Sequence, residues 1–233
     1  MHMPEKNIKV IIPAFNEQNS IAKVVQDIPK EWVNEIVVVN NNSQDSTAAV
    51  AREAGVTVLD EPRQGYGYAC LKGIAYISSR QPQPDIVVFL DADYSDYPEE
   101  LPALVQPILE EDVALVIGSR AIGDREKGAM TLQQLFGNWL ATRLMGWLYG
   151  VHYTDLGPFR AVTFSALTKM NMRDKTYGWT VEMQLKAAKL GLKTAEVPVK
   201  YRKRRTGVSK VSGTLKGTIL AGYKIIWTIL RYR

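Results

Sequence analysis

The chain reads as an α/β protein with a mostly parallel sheet flanked by helices, and three observations predict this. Ile86-Val-Val-Phe-Leu90 is an unbroken apolar run rich in β-branched side chains, the mark of a strand buried on both faces and hence of a parallel sheet covered by helices. Strand-like and helix-like stretches alternate about five times up to Ile117, and the connections between them are short, as in doubly wound sheets. At 233 residues with 46% hydrophobic content, the chain can build one such domain with a small appended element.

Lys9-Val-Ile-Ile-Pro13 is the first strand; Ile21, Val24, Val25 and Ile28 then have helical spacing that stops at Pro29. Glu35-Ile-Val-Val-Val39 is the second strand and ends in Asn40-Asn-Asn-Ser43, whose polar continuation to Thr47 starts a helix through Glu53. Residues 56–59 form a third strand, Gly65-Tyr-Gly67 opens a helix through about Ser79, and Pro82 and Pro84 turn the chain into the strand before Asp91. Residues 98–111 are helical and 113–117 form the next strand, followed by Gly118-Ser-Arg120 and a polar loop at 123–128. Residues 130–148 are apolar on most sides, with a narrow polar stripe at Thr131, Gln134 and Asn138. That pattern suits a helix buried in the domain as well as one touching a membrane, and it is too short and too interrupted for a span. Residues 213–233 form an amphipathic tail after a main domain of 1–212. In it Leu215, Ile219, Tyr223, Ile226 and Leu230 share one side, and Thr214, Lys224, Thr228 and Arg231 the other.

A doubly buried strand does not end in two carboxylates without compensation. Asp91 and Asp93 stand where the strand gives way to a loop, at the sheet edge where open α/β folds bind ligands. Hard oxygen donors so spaced can hold Mg²⁺ or Mn²⁺ together with substrate phosphates. Two other readings exist. The aspartates could serve the turn into the helix that Pro98-Glu99-Glu100 begins. They could also belong to a phosphatase with an Asp-x-Asp-x-Thr nucleophile segment, against which stands Ser95 in the fifth position.

Charge and cysteine use narrow the classes further. Cys70 is the single cysteine, which excludes an internal disulfide framework and a cysteine-based zinc cluster. No apolar signal region precedes the first strand, so a cytoplasmic protein is expected. The net charge is +5, yet no acidic residue follows Glu196 while ten of the 29 Lys and Arg do. Such a tail expects anions. The basic run at 200–205 could be only a solvated face, and the terminal helix could pack against its own domain; without a recognised nucleic-acid motif, an anionic membrane surface is the better macromolecular partner.

Four segments also carry a resemblance. Val10-Ile-Ile-Pro-Ala-Phe-Asn16-Glu17, Ile36-Val-Val-Val-Asn40-Asn-Asn-Ser43-Gln-Asp45-Ser-Thr47, Gly65-Tyr-Gly67 and Asp91-Ala-Asp93 resemble, in order and spacing, family 2 glycosyltransferases of the nucleotide-diphospho-sugar transferase (GT-A) fold. The match outweighs the phosphatase reading. It implies that Pro13, Phe15, Glu17, Asn40 and Ala92 bind the nucleoside-diphosphate sugar and that Asp91 and Asp93 hold Mg²⁺ or Mn²⁺ on its diphosphate, which makes Asp93 catalytic. The chain departs from the family at Asn40-Asn-Asn-Ser43, where Asp-Asp-Gly-Ser is usual. A neutral amide there still donates and accepts hydrogen bonds.

The later segments resemble the polyprenyl-phosphate mannosyl- and glucosyltransferase branch. Asp155-Leu-Gly-Pro-Phe-Arg160 is similar to its Asp-x-x-x-Gly-Phe-Arg segment with the glycine displaced, and Glu196-Val-Pro with Arg204-Arg-Thr-Gly207-Val-Ser209-Lys210 is similar to the end of its catalytic domain. Members that glycosylate hydroxyls usually begin the next helix with Glu-Asp, whose Asp is the general base. Here Trp179-Thr180 occupies that position. A hydroxyl must lose its proton during attack, whereas a phosphate monoester, with a second pKa of about 6, is already an anionic nucleophile. The resemblance therefore implies an inverting transferase that moves a hexose, with UDP-glucose favoured, to a polyprenyl phosphate at the cytoplasmic membrane face. Arg120, Arg204 and Lys210 would hold phosphate groups, and Glu182 would be catalytic or would orient its neighbours. The rivals are the same fold acting on a soluble acceptor and a catalytically silent nucleotide-sugar-binding protein.

Overall fold

A computed structural model describes residues 6–205 and 215–232. Strand β1 (Ile8–Ala14) is buried along its whole length, which Lys9 tolerates because its ammonium pairs with Glu35 of the next strand at 2.6 Å. β2 (Glu35–Asn40), β3 (Thr57–Asp60) and β4 (Ile86–Phe89) join β1 in parallel, in the order β3-β2-β1-β4. Side chains alternate across a strand, so Ile11, Val37 and Phe89 enter one apolar layer while Val10, Val38 and Val88 enter the other. Helix α3 (Tyr66–Ser78) covers the first layer; α1 (Ile21–Asp27), α2 (Thr47–Glu53) and α4 (Leu101–Glu111) cover the second.

Beyond β4 the sheet stops being all parallel. β5 (Leu115–Ser119) is separated from β4 by a short strand, β6 (Arg160–Thr163), which runs antiparallel to both, and β7 (Thr194–Pro198) closes the edge parallel to β5. Arg-Ala-Val-Thr is too short and too sparsely apolar to declare itself a strand from its pattern. Its direction matters for function. An antiparallel strand begins where its neighbours end, so Arg160 lies opposite Phe89 and Ile117 and the 155–159 loop arrives at the ligand edge of the sheet.

Helix α5 (Leu132–Tyr149) starts with a Thr131–Gln134 capping box, and α6 (Phe164–Met170), α7 (Trp179–Lys189) and α8 (Leu215–Arg231) follow, with α8 against α5 and α7. Of the two readings open for α5, burial in the domain holds for only a small part of it. Only Ala141 and Met145 are fully buried in it, while Leu132 (82% exposed), Phe136, Trp139 and Trp147 (81%) face outward at helical spacing. Of its polar stripe, Asn138 faces in: its Nδ2 donates to the Thr154 carbonyl at 2.9 Å and its Oδ1 accepts from the Leu156 amide at 2.8 Å. Likewise α8 buries Ala221, Thr228 and Ile229 and leaves Ile219, Tyr223, Ile226 and Leu230 exposed. Among the described residues no helix is long and apolar enough to cross a membrane.

Candidate active site

β1, β2 and β4 are parallel neighbours, so their carboxyl ends deliver Phe15-Asn16-Glu17, Asn40-Asn41-Asn42 and Asp91-Ala92-Asp93 to one edge. The first two loops are laced together. Ser43 Oγ accepts from the Asn16 amide at 3.0 Å, Asn16 Oδ1 from the Gln44 amide at 2.8 Å, and Thr47 Oγ1 from the Glu17 amide at 2.8 Å. Asn16 and Asn42 both adopt left-handed backbone conformations, which asparagine tolerates better than most residues. Asn40 Nδ2 donates to Asp60 Oδ1 at 2.8 Å. A carboxylate thus reaches this corner from β3, next to the position where the chain lacks the expected one.

The acidic residues are held in unequal environments. Asp93 Oδ1 accepts from the Ser95 amide at 2.9 Å, which tightens the turn. Asp91 Oδ1 is buried without a hydrogen-bond partner. Burial first, and then the charge of Asp93, push the Asp91 carboxyl up to about 7, against the opposing influence of Tyr66 and Arg120. Both oxygens of Asp96 are buried and unpartnered as well, and burial with the nearby Asp91 charge raises that group far above the usual carboxylate range. Among the described residues no three His, Cys, Asp or Glu side chains gather closely enough to hold a metal by themselves. A divalent cation would therefore take Asp91 and Asp93 from the protein and its remaining oxygens from a ligand, as cations on phosphates commonly do. The orphaned Asp91 oxygen fits this role, because a cation would supply the compensation its burial lacks.

Arginines thread the cluster. The basic run at 200–205 is not a uniform solvated face: Arg202 and Arg204 turn inward while Lys203 and Arg205 are exposed. Arg202 stacks 3.6 Å from the Tyr94 ring centroid and 4.0 Å from that of Tyr97, and donates to the Asp96 carbonyl at 3.0 Å. Arg204 donates to Asp93 Oδ2 at 3.2 Å and to Glu17 Oε1, spanning two of the three converging loops. Arg120 is gripped by Asp155 through Nε at 2.8 Å and Nη2 at 2.7 Å, and lies over Tyr201 at 5.0 Å. Asp155 is in turn placed by Glu196, which accepts from the Thr154 and Asp155 amides, and by Gln184, which donates to the Asp155 carbonyl at 3.0 Å.

Residues 9–170 match the sequence profile of glycosyl transferase family 2. The chain belongs to that family. An uncharacterised glycosyltransferase of Mycobacterium tuberculosis is 34% identical over 221 residues, which span 92% of this chain and 94% of the relative. The undecaprenyl-phosphate mannosyltransferase of Micrococcus luteus is 29% identical over 245 residues, 97% of this chain and 98% of its own. Glucosyl-3-phosphoglycerate synthase of Mycobacterium tuberculosis, solved with Mn²⁺, UDP and phosphoglyceric acid, superposes with a TM-score of 0.79 at 25% identity, over 98% of this chain and 78% of that one. The fold is thus the GT-A type, and the relatives include the polyprenyl-phosphate branch of the family.

Within this family 2 glycosyltransferase, Pro13, Phe15, Glu17, Asn40, Asp91, Ala92 and Asp93 come together at one edge, and Arg204 joins them. Arg120 is nearby but its guanidinium is committed to Asp155. Lys210 lies outside the described residues. Glu182 is fully buried, and its partners are the Arg173 and Asp174 amides, Lys186 and the Tyr232 hydroxyl. Trp179 packs edge-on against Phe89 with ring centroids 5.9 Å apart, and the Thr180 carbonyl accepts from Arg160 at 3.1 Å. Sequence reasoning missed Asp96, Tyr66, Arg202 and the Arg120–Asp155 pair. The spacing Asp91-x-Asp93-x-x-Asp96 and the Tyr between Gly65 and Gly67 were the available signals.

Proposed function

We propose that the protein is an inverting hexosyltransferase that moves a sugar from a nucleoside diphosphate, UDP-glucose being the favoured donor, to a polyprenyl phosphate at the cytoplasmic membrane face. The observation that carries the choice of acceptor is the start of α7, where Trp179 and Thr180 offer no proton acceptor. A phosphate acceptor needs none: its anionic oxygen bonds to the anomeric carbon as the bond from that carbon to the diphosphate breaks, and no proton moves. Pro13, Phe15, Glu17, Asn40 and Ala92 would frame the donor. Asp91 and Asp93 would hold Mg²⁺ or Mn²⁺, which when bound stabilises the charge of the departing diphosphate as a Lewis acid. Arg204, placed on Glu17 and Asp93, would turn to a phosphate group, and Lys210 is kept for the same task. Arg120, its charge held by Asp155, would act through its field. The outward apolar stripes of α5 and α8, beside the exposed Arg231, support a peripheral seat on an anionic bilayer, where each basic residue facing it adds about 1 kcal/mol.

The likeness to glucosyl-3-phosphoglycerate synthase favours a second reading, transfer to a small soluble acceptor. One assay separates them: UDP-sugars and Mn²⁺ with polyprenyl phosphate, the matching polyprenol, or phosphoglycerate. Transfer to the lipid phosphate and none to the polyprenol is expected. Efficient use of the polyprenol or of phosphoglycerate would return the function to hydroxyl or soluble acceptors. UDP binding without turnover on any of the three would leave a nucleotide-sugar-binding protein.

A further inference from the structure

Two carboxylates, Glu182 and Asp174, shape one loop. Glu182 accepts from the Arg173 amide at 2.9 Å, the Asp174 amide at 2.6 Å and the Tyr232 hydroxyl at 2.6 Å, and pairs with Lys186 at 2.6 Å. Asp174 Oδ1 accepts from the Thr176 amide at 2.8 Å and the Gly178 amide at 3.1 Å, and its Oδ2 pairs with Lys224 of α8 at 3.0 Å. The 171–178 loop is therefore tied to the C-terminal helix at Lys224 and just beyond it at Tyr232.

The other side of this loop presses on the start of α3. The Tyr68 amide donates to the Lys175 carbonyl at 3.2 Å, and a Cβ added at Gly65 or Gly67 would overlap the carbonyls of Lys175 or Asp174. The approach is backbone against backbone, with no soft side chain to absorb a displacement. Gly65, at φ +148°, has its amide held by Asn41 Oδ1 at 2.8 Å, so the turn is fixed from the β2 side as well. Tyr66 stands between the two glycines with its hydroxyl buried. A continuous path of packed groups thus runs from α8 through Asp174 and Glu182 to the Gly65-Tyr66-Gly67 turn and, through Gly65 and Asn41, to the β2 loop at the ligand edge.

We propose that Asp174 and Glu182 are positioning residues that make donor binding depend on the seating of α8, an inference that rests on reading the Asn40-Asn41-Asn42 loop as part of the donor site. The helix would act on the donor at a distance, through the turn that Asn41 holds. In the full chain, the Lys224→Met/Tyr232→Phe double variant removes both ties while leaving the carboxylates in place. Its Kd for UDP with Mn²⁺, by titration calorimetry, should rise about tenfold, within the range usual for coupled sites. Donor KM should rise with kcat little changed, the amides of residues 65–68 should exchange deuterium faster, and Lys224→Arg alone should behave as the unmodified chain. Because Lys224 is partly exposed, Lys224→Met by itself provides a second variant should the double one unfold. Faster exchange in α8 with unchanged exchange at 65–68 and unchanged UDP affinity would overturn the proposal. An unmodified chain that fails to bind UDP with Mn²⁺ would instead defeat the donor-site reading, and exchange at 65–68 would still decide the coupling.

Discussion

The β1–β4 half of the molecule and the α5–α8 face handle the same kind of sequence signal in opposite ways. In the strands, apolar residues are inside: Ile11, Val37 and Phe89 are wholly buried. In the two helices, the apolar stripes point out while Asn138 and Thr228 point in. Periodicity reveals that a helix has two faces; it does not say which one the domain claims. For α5 that choice follows from the loop beneath it, whose Thr154 carbonyl and Leu156 amide need partners that Asn138 supplies. The outward stripes then become surface available to a partner of their own.

Asp91→Asn should have the largest effect. Loss of the carboxylate proposed to hold the metal should reduce transfer on the order of a thousandfold or more, with an unchanged circular dichroism spectrum. The same variant tests the inner half by pH. The Asp91 carboxyl rises from 3.8 to about 7 on folding, so the folded state keeps its proton more firmly than the unfolded state. Its stabilising contribution is present below about pH 4 and lost as pH climbs through 7. With chelator present, Asp91→Asn should therefore melt above the unmodified protein at pH 8 and show a flatter pH dependence; a lower melting temperature at pH 8 would contradict the assignment.

Ile11→Ala comes next, in a strand where pattern and burial agree. A cavity there should cost about 2–5 kcal/mol in urea unfolding. Arg204→Ala removes a charge-assisted contact worth about 1.5–3 kcal/mol, which should lower kcat/KM roughly ten- to hundredfold. It should also tighten Mn²⁺ binding in the absence of donor if, as proposed, Asp93 holds the metal, since Arg204 pairs with that carboxylate. Asn138→Leu sharpens the contrast directly: it makes α5 more apolar, yet leaving the two loop groups unpaired should destabilise the protein by about 1–3 kcal/mol. Trp147→Gln is the mirror case and the smallest. Removing an 81% exposed indole should change stability by less than about 0.5 kcal/mol while weakening association with anionic vesicles. A large loss of stability there would mean that the exposed stripe is core after all.

The donor edge was legible because it is built from short-range signals. An apolar run that stops at Asp91, a Pro-Ala-Phe-Asn-Glu segment after a strand and an asparagine-rich turn each lie within a few residues of sequence, and turn chemistry and strand burial act over that range. β6 was not legible, since four residues pair as a strand only because β4 and β5 present open edges to them. The residue type of Glu182 admits catalysis and orientation alike; that it meets the 173–174 amides and the Tyr232 hydroxyl is legible only in the tertiary structure.

The sequence alone determined the class of fold, the family and the carboxylates at the end of β4, because these depend on local patterning that survives in any context. Tertiary structure decided the charge partners. Arg204 reaches Asp93 across 111 positions and Glu17 across 187, and Arg120 finds Asp155 across 35. The first two pairings require β7 to deliver the 200–205 segment to the edge where β1 and β4 end, and the third requires β6 to run backward between its neighbours. A buried charge needs a partner in space, whatever its distance along the chain, and strand order is what brings these partners within reach.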